Sequence, residues 1–96
     1  MSLRVLVSRY INSAEKASSQ MIISNRPVLV DIDKIREVAE WARAYLKDAK
    51  YYREKEKLEV SLTSVAYCEG MLDALRLSGM VNFEWPTKER KPRKAK

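Results

Sequence analysis

Ninety-six residues make one domain, and a chain this short buries only about 60 to 65 per cent of its unfolded surface, so its core must be small. A hydrophobic content of 46% with only two Gly and three Pro excludes a turn-rich β fold and points to an all-α chain. The formal charge of +6 excludes a uniformly basic body, because six Lys or Arg against Glu89 put +5 of it in residues 86–96 and leave +1 for residues 1–85.

In chain order, the first periodic segment spans residues 2–24. Leu3, Val7, Tyr10, Ala14, Ala17 and Met21 recur at alternating steps of four and three, the seam of an amphipathic helix. Pro27 disfavours helical geometry at Arg26, so SNRPVLVD interrupts the pattern and Val28, Leu29 and Val30 form an extended or loop segment. Asp31 and Asp33 both stand where an N-cap would precede the next helix, expected over residues 31–53, with a seam of Ile35, Val38, Ala42, Tyr45, Ala49 and Tyr52. Its small Ala positions suit close approach of another helix. Residues 53–57 (REKEK) have no apolar member and contain neither Gly nor Pro. They are read as a turn, because one rod over residues 33–78 would be about 70 Å long with its seam unburied in a monomer. The third helix, expected over 57–78, carries Leu58, Leu62, Val65, Leu72 and Leu75, with Gly79 placed as its C′ residue. Met80, Val81, Phe83 and Trp85 then fasten the chain back on the bundle. The expected architecture is an antiparallel three-helix bundle over residues 1–86, with Leu6, Tyr10, Ile35, Val38, Ala42, Leu62, Val65 and Leu72 in its core, followed by a basic, disordered tail over 87–96.

The chemistry this sequence offers is sparse. There is no histidine, which removes Ser/His and Cys/His nucleophilic sites and the commonest metal ligand. Neither GxGxxG nor GxxxxGK[ST] occurs, so the familiar phosphate cradles are absent, and we expect no enzyme and no cofactor. The one cysteine, Cys68, cannot pair within the chain. With no apolar run near the roughly 20 residues a bilayer requires and an N-terminus too quickly polar for a signal peptide, a cytoplasmic protein is expected, with no membrane partner.

Five features invite a functional reading. Glu69 and Asp73, one turn apart, could share a proton or hold a hard cation, although pairing of Glu69 with a neighbouring helix and of Asp73 with Arg76 explains them as well. Gly70 costs about 1 kcal/mol against Ala within a helix, and close helix contact is its simplest reason. Tyr67, with Tyr10, Trp41, Tyr45 and Tyr52, has the spacing of core or core-edge aromatics before that of a base-stacking platform. Trp85 belongs to a tethered end or to a docking motif. Lys88, Arg90, Lys91, Arg93, Lys94 and Lys96 can neutralise phosphates of RNA or DNA without reading sequence, or serve only solubility.

Residues 65–79 (VAYCEGMLDALRLSG), preceded by Ala49, Tyr52 and a polar turn, resemble the archaeal family called domain of unknown function 357. Its helix signature of Tyr, Glu-Gly and Leu-Asp-Ala is matched by Tyr67, Glu69, Gly70, Leu72, Asp73 and Ala74, with Gly79 following. The turn departs from the family's Lys-Gly-Asp pattern, reading REKEK without its glycine. The resemblance covers residues 33–82 and implies a compact helical bundle, found alone or beside nucleotidyltransferase-like domains, with no agreed activity. It marks Glu69, Gly70 and Asp73 as residues to test and assigns them no role. The function expected from all of this is a non-catalytic adaptor that binds a protein partner or itself. The alternative is a nucleic-acid or ribonucleoprotein accessory that uses the basic tail.

Overall fold

A computed structural model describes residues 2–86, and the basic tail expected over 87–96, Lys88 to Lys96 included, lies outside the described residues. Over the described residues the chain is an all-α helical bundle with three helices, α1 (Leu3–Gln20), α2 (Ile32–Glu54) and α3 (Leu58–Leu77). α1 starts where Ser2 accepts a hydrogen bond from the Val5 amide at 3.1 Å, a side-chain N-cap. It ends four residues before the expected boundary, where Met21 is already extended and the β-branched Ile22 and Ile23 come next. Of the two aspartates proposed as caps, Asp31 takes the position: its carboxylate accepts from the Asp33 amide at 2.7 Å, and Asp33 lies in the first turn beside the positive helix end.

α2 and α3 form an antiparallel hairpin. Ser61 reaches Ala49 while Tyr67, further along α3, reaches back to Tyr45, so the partners run in opposite directions. The turn between them is a Schellman motif: Lys57 N–H donates to the Tyr52 carbonyl at 2.9 Å and Glu56 N–H to that of Arg53 at 3.0 Å. The motif needs a left-handed residue at its corner. Glu56 fills it at φ 60°, a conformation that glycine adopts without strain. α3 ends in the same motif with the usual residue, Gly79 at φ 76°, Met80 N–H donating to the Leu75 carbonyl and Gly79 N–H to that of Arg76, both at 3.0 Å.

The core lies between α2 and α3 and is thin. Ala42, Ala49, Cys68 and Leu75 are its buried hydrophobic members. Two alanines facing a cysteine and a leucine let the helix backbones approach, close enough for the Ser61 hydroxyl to donate to the Ala49 carbonyl at 2.7 Å. Ile35, Val38, Val65 and Leu72 are half-buried at its margin. Two expected core residues are corrected: Tyr10 is 64% and Leu62 68% exposed. Tyr10 is exposed because α1, although amphipathic, packs against neither α2 nor α3 and has no buried residue. Leu62 points away because the hairpin contact runs through Ser61, Cys68 and Leu75, leaving Leu62 on an outer flank. The radius of gyration is 15.9 Å, against about 12.5 Å for a compact chain of this length.

Candidate interaction surface

The residues marked by the sequence do not converge on one site. Successive helix positions turn by about 100°, so Tyr67 and Glu69 leave α3 on different flanks, and the five candidates divide between them. On one flank, Asp73 is occupied by its own chain. The Trp85 indole N–H donates to Asp73 Oδ1 at 2.7 Å, and the Arg76 guanidinium stands 3.6 Å from the same oxygen. Arg76 lies 5.9 Å from the centre of the Phe83 ring, and Phe83 meets Trp85 edge to face at 5.0 Å. Asp73, Arg76, Phe83 and Trp85 therefore form a latch that folds residues 80–86 onto α3. The expected Asp73–Arg76 pair and the fastening role of Phe83 and Trp85 are both present.

Glu69 is half-buried one turn before the latch. Among the described residues, no group of three or more His, Cys, Asp or Glu is placed to hold a metal ion. Beside Glu69, burial pushes the Cys68 thiol above its ordinary pKa, with the charge of Glu69 adding to the effect. The thiol is thus kept neutral and suits an apolar core. Gly70 is exposed, and a Cβ added there would meet nothing within 4 Å. Close helix contact, the reason expected for it, is corrected: the glycine faces open space.

The other flank carries a feature that residue spacing alone assigns to the core. Trp41 and Tyr45 lie one turn apart on α2 with ring centres at 6.3 Å, and Tyr45 meets Tyr67 of α3 edge to face at 4.6 Å. The cluster bridges the two helices and is open to solvent, with Trp41 53% and Tyr67 55% exposed. Val60 stands two turns from Tyr67 on the same side of α3 and is also exposed. Alternating three and four from Trp41 leads along α2 to Tyr45, Asp48 and Tyr52, and from Tyr67 along α3 to Met71 and Ala74. This face is broad and aromatic and holds few charges. The signal was available: Trp41 sits one position off the Val38–Ala42 seam, where a side chain widens a stripe without entering the contact.

A second unpartnered apolar surface belongs to α1 and the connection after it. Leu3, Val7, Tyr10 and Met21 of the predicted seam are exposed, as are Ile22, Ile23, Val28 and Leu29, the last at 99%. Among the described residues no helix is long and apolar enough to cross a membrane. Together these residues leave much apolar surface exposed.

A family model described as "Protein of unknown function (DUF357)" matches residues 9–81, from the middle of α1 to the end of the α3 cap. No curated protein and no solved structure matches the chain.

Proposed function

The chain belongs to the DUF357 family, and we propose that it acts there as a non-catalytic helical adaptor, binding a protein partner or another copy of itself through apolar faces that its own fold leaves uncovered. The observation that carries this reading is the pair of exposed surfaces: an 18-residue amphipathic helix with no buried residue, and an aromatic face on the hairpin. Soluble domains seldom leave two such surfaces open unless something covers them. A cytoplasmic setting goes with this reading, supported by a lone free thiol buried at Cys68. The test is affinity purification from native lysate of the full chain, of a chain ending at Trp85, and of a Trp41→Ala/Tyr67→Ala double variant. A defined protein complex or self-association that survives loss of the tail and is lost with the two aromatics supports the adaptor. A strictly monomeric protein that recovers no partner overturns it.

A second reading draws on the concentration of charge in residues 86–96. There the bundle is a nucleic-acid or ribonucleoprotein accessory, and the tail adds a salt-dependent phosphate contribution. It requires RNA or DNA to come down with the full chain alone, and it fails if deleting residues 87–96 leaves affinity at low salt unchanged.

A further inference from the structure

We infer that the aromatic face of the hairpin is the seat for α1 of a second copy, so that two chains exchange their N-terminal helices in a symmetric dimer. This inference rests on the adaptor reading and names its occupant.

Surface area is the first support. The chain exposes 9093 Å², whereas a compact monomer of 11.2 kDa exposes about 5,700 Å². Even if the residues outside the described range kept the whole surface of an unfolded chain, about 2,000 Å² of excess stays with residues 2–86. Removed from both chains of a symmetric dimer, it would bury about 4,000 Å² in total, the scale of an obligate homodimer interface, roughly 2,000 to 5,000 Å². A monomer in this arrangement lacks about one interface, and the surfaces needed to make it are both within the chain.

Complementarity is the second. α1 offers a stripe of Leu3, Val7, Tyr10, Ala14 and Ala17, narrow and partly small, which suits insertion beside protruding rings. The hairpin offers those rings in Trp41, Tyr45 and Tyr67. Outside the stripe α1 carries Arg4, Arg9 and Lys16 against Glu15, while the flank of α2 beside Trp41 presents Asp33, Glu37 and Asp48 with Lys34 among them; Glu37 pairs with Lys34 at 3.2 Å and Asp33 with Arg36 at 3.6 Å. Asp48, which makes no ion pair among the described residues, is the acid placed to meet the basic side of α1 at the border of an apolar contact, an arrangement that orients partners.

The connection is the third, and it favours another copy over the chain's own hairpin. Helices that pack as neighbours in a bundle are joined by about 2 to 8 residues. Here residues 21–31 intervene without helix or strand, and both ends are extended, Met21 at ψ 133° and Asp31 at ψ 144°. Pro27 and the β-branched Ile22, Ile23, Val28 and Val30 stiffen the run. Fully extended, eleven residues reach at most about 35 to 40 Å, and a bend at Asn25 and Arg26, where the Ser24 hydroxyl donates to the Arg26 carbonyl at 3.1 Å, shortens the run. They hold α1 out as an arm, and exchanging identical arms is an inexpensive way to close a two-fold dimer.

The test uses full-length chains and light scattering on a sizing column. The native chain is expected to elute at twice its 11.2 kDa mass. Val7→Glu on the arm and Trp41→Glu on the seat are each expected to weaken the dimer about 100-fold or more, since each dimer contains the change twice. Both sites are exposed in the single chain, and far-ultraviolet circular dichroism checks that each variant keeps its helices. The deciding step is to mix the two variants. A mixed pair has one intact arm on one intact seat and gathers both changes in the other contact, where the second change costs little once the first has opened it, so a dimer of one Val7→Glu chain with one Trp41→Glu chain should form at concentrations where each alone is monomeric. Contacts between two arms or between two hairpin faces would give no such rescue, and its absence overturns the exchange. A monomeric native chain also overturns it, and leaves the adaptor reading standing only if a different protein is bound through Trp41 and Tyr67. A monomer with no partner removes both.

Discussion

α1 and α2 have nearly the same apolar periodicity and opposite fates. Leu3, Val7, Tyr10, Ala14 and Ala17 repeat the three-and-four spacing of Ile35, Val38, Ala42, Tyr45 and Ala49, yet α1 has no buried residue and α2 buries Ala42 and Ala49. The difference lies in how the chain leaves each helix. After α2 it reverses within a Schellman turn and delivers α3 against it, whereas after α1 an extended connection separates the helix from any neighbour. Periodicity fixes which side of a helix seeks cover, and the connection decides where cover is found.

The largest effects should come from the hairpin core. Leu75→Ala removes most of a side chain that is 5% exposed and should cost about 2 to 4 kcal/mol in urea unfolding. The same truncation in the arm, Leu3→Ala, should change that unfolding by no more than about 0.5 kcal/mol in dilute solution where the chain is monomeric, and should act instead on self-association. Equal losses at both positions would break the comparison. Ala49→Leu should be nearly as damaging, about 1 to 3 kcal/mol, because the Ser61–Ala49 hydrogen bond at 2.7 Å leaves no room between the helices for three more carbons.

The latch comes next. Trp85→Phe keeps a ring beside Phe83 but removes the donor to Asp73, leaving that half-buried carboxylate with only the Arg76 pair at 3.6 Å. The expected cost is about 1 to 2 kcal/mol, and it should appear as faster hydrogen exchange in residues 80–86 with little change in α2. An equal loss of protection throughout α2 would mean that the latch belongs to the core and does not merely close its end.

Much of this was legible in residue order. The three helices, the turn at REKEK, a cap by Asp31 or Asp33, Gly79 as the C′ residue and the fastening by Phe83 and Trp85 follow from spacing, capping chemistry and local backbone preference, and each depends on residues close in sequence. The exposure of Tyr10 and Leu62 was not legible, because an apolar stripe says nothing about whether a neighbour arrives. The aromatic face was only half legible. Trp41, Tyr45 and Tyr67 have core-like spacing, and their meeting depends on how α2 and α3 rotate against each other, which is set by Ala42, Ala49 and Cys68 at the point of closest approach.

The smallest effects are expected to be gains, and they probe two glycine questions with opposite answers. Gly70 is helical and exposed, with open space where a Cβ would lie, so Gly70→Ala should stabilise the hairpin by about 1 kcal/mol through propensity alone. Should the variant be more stable and yet associate less well, Gly70 lies under the partner, and its backbone is what the partner approaches. Glu56 is the converse case. It occupies the left-handed corner at φ 60° where a side chain is strained, and its replacement by glycine relieves that strain while loosening the unfolded chain. These opposing contributions should leave Glu56→Gly more stable by up to about 1 kcal/mol, a rise in melting temperature of a few degrees for a domain of this size. Glu56→Ala separates the causes: it keeps the strained corner and removes only the carboxylate. If the alanine variant gains as much as the glycine one, charge repulsion within REKEK is what weakens the turn, and the left-handed corner is not its cost.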